Sequence, residues 1–306
     1  MQKRLWSIKE YPFHPEKLRY YETIFTIGNG YIGTRASFEE GYDGDSPATL
    51  IHGLFNHVEG ELVPELVNCP DWTRLHITID DTPFKMITQS HDPFHPPEGL
   101  VLGYERRLHM DTGLLRRTVL FRATTGNTVR MVFERFASLA DVHVMVQRVH
   151  ITAIDGTPKV IITSALDGNV TNNGVQHWAT MQADQQGDVI SLQGKTNQSG
   201  YELGMASRFT SPQSLEFDVT DTLPSVTSIV PLAKDGEATF EKVTTIYTNR
   251  ETDNPLATAI NHLENLSTYD ELYQTHTTVW SKYWETADIQ IKGDEQAQVG
   301  IRFATY

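Results

Sequence analysis

The chain has 306 residues, 39% hydrophobic and 21% charged, with a formal net charge of -14. Such a length holds one large domain or two ordinary ones around a sizeable core. The acidic balance excludes a nucleic-acid or anionic-membrane binder, which would carry clustered Lys and Arg, and no stretch approaches the ~20 apolar residues of a membrane span.

The N-terminus, "MQKRLWSIKEYPF", lacks the apolar stretch of a secretory signal. Next comes "TIFTIGNGYIGTR", residues 23–35, with Gly28, Gly30 and Gly33 in the spacing of a dinucleotide-binding turn. That motif needs a helix after the glycines. Here Gly41, Gly44 and Pro47 follow without helical period. The residues read better as a hairpin with Asn29-Gly30 in a type I′ turn. Gly33 is then a strand glycine where another group comes close. Glu39, Glu40, Asp43 and Asp45 form an acidic cluster without calcium-loop spacing and are expected in a solvated loop.

The single cysteine, Cys69, excludes an intrachain disulfide and suits a reducing cytoplasm. Nothing in "LVNCPDW" would lower its pKa, so an inert thiol is expected. Leu75, Ile77 and Ile79 alternate as a strand. His91 and His95 lie among prolines, which removes the helix that would make them a metal pair. No metal site is expected.

From residue 114 the alternation is continuous. Val119 and Phe121, a turn at Gly126-Asn127, then Val129, Met131 and Phe133 predict a hairpin. Val142, Val144, Val146, Val149 and Ile151 predict the next strand. Further short strands run to about residue 249, with turn signals about every 8–12 residues, the pattern of an antiparallel sandwich or barrel. No helical stretch interrupts them, so a doubly wound sheet is excluded. One loop is site-like: in "DGNVTNNGVQHW", Asn172, Asn173 and His177 could bond sugar hydroxyls and Trp178 could stack on a pyranose. His177 with Glu202 is the one pair that could serve an aldose epimerase as acid and base. The competing reading is a long turn with a core tryptophan.

Helices are predicted only late. Asn254 and Pro255 form an N-cap and first-turn pair before Leu256, Ile260 and Leu263. Thr268 and Glu271 read as a capping box, before Leu272, His276, Val279 and Tyr283 at helical spacing. Trp280 and Trp284 look like core or interdomain anchors. A third helix starts near Asp294 and runs to Tyr306 without a stop signal. It is either the opening of a further domain or a helix docking back on the sandwich.

Several segments together resemble glycoside hydrolase family 65. They are "FHPEKLRYYETIFTIGNGYIGTRASFEE" (13–40), "LVNCPDWTRLHITIDDTPF" (66–84), "RRLHMDTGLLRRTVLFR" (106–122), "ERFASLADVHVMVQRVHITA" (134–153), "ITSALDGNVTNNGVQHW" (162–178) and "HTTVWSKYWETADIQIKGDEQAQVGIRFATY" (276–306). Ala36 departs from the family pattern, where a glycine is expected. The resemblance implies a mainly β fold: an antiparallel super-β-sandwich, galactose mutarotase-like, followed by linker helices. It divides the chain into a sandwich at 1–252, a helical linker at 253–288 and, at 289–306, the first helix of a truncated (α/α)6 catalytic barrel.

The resemblance also implies a function. Family members are phosphorylases of maltose, kojibiose, nigerose or trehalose, or related α-glucoside hydrolases. Their general acid is a glutamate in the barrel, so no catalytic residue is expected here. Phosphorylase members take inorganic phosphate as co-substrate and invert the anomeric carbon; no other cofactor is implied. The expected role is a non-catalytic domain supporting its own catalytic barrel, with an α-glucoside disaccharide as the substrate of the whole enzyme and a homodimer as an assembly it could form. The rivals are a stand-alone carbohydrate-binding sandwich and an aldose epimerase.

Overall fold

The computed structural model describes residues 5–58, 60–86 and 99–306. His91 and His95 lie outside them. In chain order the first strands are β1 (Ser7–Glu10), β2 (Ile27–Gly28), β3 (Ile32–Thr34), β4 (Thr49–Ile51), β5 (Phe55–Asn56), β6 (Glu65–Leu66), β7 (Leu75–Ile79) and β8 (Thr82–Pro83). The long strands follow: β9 (Leu100–His109), β10 (Leu114–Arg122), β11 (Thr128–Ala137), β12 (Val144–Asp155) and β13 (Lys159–Ala165). Then come β14 (Trp178–Gln186), β15 (Val189–Thr196), β16 (Glu202–Thr210), β17 (Glu216–Thr220), β18 (Leu223–Pro231) and β19 (Glu237–Thr248). The helices are α1 (Leu18–Ile24), α2 (Pro255–Glu264), α3 (Tyr269–Ala287) and α4 (Glu295–Thr305).

The fold is the expected antiparallel sandwich. A nine-stranded sheet runs β1-β9-β10-β11-β12-β19-β16-β15-β14, and a five-stranded sheet runs β17-β18-β13-β7-β8. The period-2 pattern drives this. Val119, Phe121, Val129, Met131 and Phe133 point between the sheets and are buried with Ile77, Ile162 and Phe240. The β10–β11 hairpin forms as predicted, pairing Arg122 with Thr128 across a turn with Gly126 at φ +93°. On β12, Val144 and Val146 face the other way, into a second core under α2 and the start of α3. Val142 precedes the strand and is exposed.

Asn254 caps α2 as expected, its Oδ1 accepting from Ala257 N at 3.1 Å. Thr268 is the N-cap of α3, but its side chain makes no capping bond, so the predicted capping box does not form. The buried face of α3 is Tyr269, Leu272, His276, Trp280 and Trp284; Tyr283 is exposed. Helix α2 lies against β16 at Gly204, where an added Cβ would sit 2.3 Å from Leu256 N. Helix α4 returns to the N-terminus: Tyr306 stacks on Trp280 with centroids 5.2 Å apart, and the Arg302 guanidinium lies 3.6 Å over the Trp6 ring.

The glycine stretch is a hairpin, displaced by one residue from the expected turn. Gly28 pairs with Gly33, and Asn29 N–H donates to Ile32 O at 3.1 Å, which places Gly30 and Tyr31 at the centre. Only Gly30, at φ +87°, is left-handed, so the turn has the II′ pattern, not I′. The close approach is at Gly28, where a Cβ would lie 3.1 Å from Ile32 O; at Gly33 it would meet nothing within 4 Å. Ala36 is fully buried with an ordinary backbone, so no glycine is needed there. Helix α1 has no counterpart in the sequence reading.

Candidate functional site

The predicted loop is built around two buried side chains at the foot of β14. Trp178 is 6% exposed; its indole N–H donates to Asn68 O at 2.9 Å, and its ring lies on Gly194, where a Cβ would come within 2.9 Å. His177 is 1% exposed. Asn56 Oδ1 accepts from the backbone N–H groups of Gln198 and Ser199, which fixes the amide orientation. Asn56 Nδ2 then donates to His177 Nδ1 at 2.9 Å and to Asn197 Oδ1 at 2.6 Å. The imidazole therefore carries its proton on Nε2 and donates it to Glu65 Oε1 at 2.7 Å. Glu65 is partly exposed.

Asn172 bridges strands of chain far apart in sequence: its Oδ1 accepts from Asn68 N at 2.8 Å and its Nδ2 donates to Leu66 O at 2.7 Å. Asn173 is exposed at φ +49°, a left-handed turn position that Asn tolerates. The four predicted residues do cluster. Asn173 alone points a free amide outward; the other three hold the loops to the sandwich. The His177–Glu202 pair does not form, because Glu202 binds Lys195 Nζ at 2.9 Å and Glu65 takes the imidazole.

The acidic cluster differs most from expectation. The side chains of Glu39 and Glu40 are buried, not solvated, whereas Asp43 is exposed as expected and Asp45 is half-buried. Arg117 donates to Glu39 Oε2 at 2.6 Å and to Glu40 Oε1 at 2.7 Å, and Arg135 to Glu39 Oε1 at 3.2 Å. Arg106 reaches Glu10 at 3.0 Å, and Tyr104 Oη donates to Glu10 Oε2 at 2.5 Å. Arg117 lies between the Phe38 and Phe133 rings, 4.5 and 4.2 Å from their centroids. Burial raises the Glu39 pKa, but Arg117 and Arg135 outweigh it and hold the carboxyl below its ordinary range. The inner face of the nine-stranded sheet is thus plugged by paired charges.

A signal for this cluster exists in the sequence. Each arginine falls in phase with core positions: Tyr104-Arg106-Leu108, Leu115-Arg117-Val119 and Phe133-Arg135-Ala137. Lys242 is in phase as well, between Phe240 and Thr244. Its Nζ donates to Ala165 O at 2.7 Å, and burial pulls its pKa down to about 7. Cys69 is fully buried and burial pushes its thiol pKa up, which leaves it unreactive at neutral pH.

Among the described residues no group of three or more His, Cys, Asp or Glu could hold a metal ion, and no helix is long and apolar enough to cross a membrane. Recesses lie at the helical end. One of about 600 Å³ runs between the Gly28–Gly30 hairpin and Trp280, Phe303 and Tyr306; another of about 240 Å³ lies among His109, Arg116, Glu134, Arg148 and Tyr273.

The family model described as "Glycosyl hydrolase family 65, N-terminal domain" matches residues 8–283. A kojibiose phosphorylase of Halothermothrix orenii is 31% identical over 98% of this chain and 40% of its own length. An α,α-trehalose phosphorylase of Geobacillus stearothermophilus is 28% identical over 97% of this chain and 41% of its own. A maltose phosphorylase of Bacillus subtilis is 27% identical, with 97% and 41% covered. A solved human-microbiome chain, provisionally named a kojibiose phosphorylase, superposes with a TM-score of 0.88 at 19% identity, covering 99% of this chain and 41% of that one. The chain spans about 40% of the length of the curated relatives it matches.

Proposed function

The chain belongs to glycosyl hydrolase family 65, whose N-terminal domain it matches, and from that premise we propose that it is the supporting domain of an α-glucoside phosphorylase or hydrolase. The observation that carries this reading is the span of the match: an N-terminal domain family over residues 8–283, in relatives more than twice as long. In this reading a sandwich at 1–252 and a linker at 253–288 lead to the start of a catalytic barrel at 289–306. The barrel supplies the acid that protonates the leaving oxygen. Inorganic phosphate is the co-substrate if the enzyme is a phosphorylase, and a glucose disaccharide is its substrate. The protein works in the cytoplasm, as the lone buried Cys69 suits, and the domain helps build a homodimer.

The buried ion pairs of Arg106, Arg117 and Arg135 on the inner face support a structural role for that face. Purified protein of these 306 residues is expected to release no glucose or glucose 1-phosphate from maltose, kojibiose or trehalose, with or without phosphate. Turnover of any of them would sink the proposal.

A second reading is sugar binding at the loop of Asn172, Asn173, His177 and Trp178. It is favoured by exposed Asn173 and Gln176 beside Glu65, a rim of amide and carboxylate groups suited to hydroxyls. Because Trp178 is buried, binding would rest on hydrogen bonds, not stacking. Titration with glucose and disaccharides, followed by amide shifts in NMR, tests it; no shift at Asn173 or Gln176 would end it.

A further inference from the structure

The arginine cage encloses a cavity of about 10 Å³, bounded by Ser37, Glu39, Leu115, Arg117, Phe133 and Arg135. That is room for one water-sized sphere. Four polar atoms of its lining residues make no hydrogen bond within the protein: Arg106 Nη2, Arg117 Nε, Arg135 Nε and the hydroxyl Ser37 Oγ; of these Arg106 Nη2 still has Glu10 Oε2 as an ion-pair partner at 3.0 Å. Arg117, Arg135 and Ser37 are nearly inaccessible, at 2%, 1% and 3% exposure. Bonds from the outer guanidinium nitrogens to Glu39, Glu40 and the Arg35 and Ser37 carbonyls fix both guanidinium planes, so neither arginine can turn its Nε–H elsewhere. A buried N–H left unpaired loses its solvation without return.

We infer that this cavity binds a single neutral acceptor, one internal water molecule, as the piece that completes the ion network. Both Nε–H groups donate to its two lone pairs. Its own protons go to the Ser37 hydroxyl oxygen, which here acts as an acceptor, and to a Glu39 carboxylate oxygen, giving four partners, the upper end for a buried water. A halide could also accept from three donors. The charge balance disfavours it: Arg106, Arg117 and Arg135 are already matched by Glu10, Glu39 and Glu40. An added anion would be uncompensated in a low-dielectric interior.

A high-resolution crystal structure, with a second crystal soaked in bromide, tests the assignment. The expected result is one peak of oxygen-like scattering about 2.7–3.2 Å from both Nε atoms, with no anomalous signal there after the soak. An anomalous bromide peak would replace water by an anion, and featureless density would overturn the site. Ser37→Ala and Ser37→Val give an independent reading in solution. If water is bound, the larger side chain displaces it and strands both Nε–H groups, so Ser37→Val melts at a lower temperature than Ser37→Ala. If the cavity is empty, valine fills it and melts higher than alanine.

Discussion

Asn29 donates through Nδ2 to the carbonyl of Ser138, 109 positions along the chain, at 2.7 Å. The same amide nitrogen reaches Val142 O at 3.0 Å, while its Oδ1 accepts from Tyr31 N and Ile32 N. One side chain both closes the glycine hairpin and ties it to the chain leading into β12. Asn29→Ala removes four bonds at a buried site and is expected to cost about 2–4 kcal/mol, a fall in Tm of roughly 3–6 °C. Asn29→Asp keeps the acceptor but sets a carboxylate against two carbonyls, and should fall at least as far. Differential scanning calorimetry checks both; unchanged melting in either variant would remove the clamp.

The buried Lys242 makes stability depend on pH with a definite sign. Burial lowers its pKa from 10.5 to about 7, so between those values the unfolded chain holds a proton that the folded one lacks. Stability from this site therefore rises with pH across that window, and the penalty is complete below pH 7. Lys242→Met is expected to raise stability by about 1–3 kcal/mol at pH 6. The gain should vanish near pH 10, where the methionine only leaves Ala165 O unpaired. Urea titrations at the two pH values decide it, and an equal gain at both would contradict the assignment.

The Glu39 carboxyl titrates the other way. Burial works against its charge, but Arg117 and Arg135 prevail and depress its pKa. Its contribution is present above the unfolded value near 4.5 and is lost as the pH falls through the lower folded value. Glu39→Gln should cost about 3–5 kcal/mol at neutral pH, because two buried guanidinium groups lose their shared partner. It should also flatten the loss of Tm between pH 5 and 3. An acid limb as steep as in the parent protein would reject the role.

Arg302 joins the last helix to the chain at Leu5 and Trp6. It donates to Asp288 at 2.7 and 2.9 Å, lowering that carboxyl's pKa, and lies over Trp6. Arg302→Ala should free α4 while leaving the sandwich intact. Limited proteolysis is expected to cut the 288–306 segment at least several-fold faster, with Tm of the main transition little changed. Loss of the main transition would show instead that the two parts fold as one unit.

The sandwich was legible because its strands obey a strict period of two. Val119 to Phe121 and Val129 to Phe133 announce their inner face directly, and Asn254 and Asp294 mark helix starts that the structure caps as expected. Helix α1 was hidden. It is only seven residues long, and its short apolar face of Leu18, Tyr21 and Phe25 is interrupted by buried Glu22, which is bound to Arg35 and Tyr42, so too little of a helical period exists to be read. The ion network was legible only in the phase of its arginines: Arg106, Arg117 and Arg135 fall at inward positions, but no spacing rule joins them to Glu10 on β1 or to Glu39 and Glu40, which are remote in sequence. The candidate loop was legible as a cluster but not in its internal bonds. No spacing rule connects His177 to Asn56 and Glu65, which lie on the hairpin of β5 and β6.

Gly204 has a reach that its size conceals. Helix α2 can rest on β16 only because a methyl group is missing there; a Cβ would fall within 2.5 Å of Leu256 and Pro255 backbone atoms. The seat is backbone against backbone, which cannot be relieved by turning a side chain. A methyl at this point would tilt the helix as a beam lifted at one support, and the displacement would grow with distance toward α3. The alignment of the whole helical arm with the sandwich is gauged by one absent carbon.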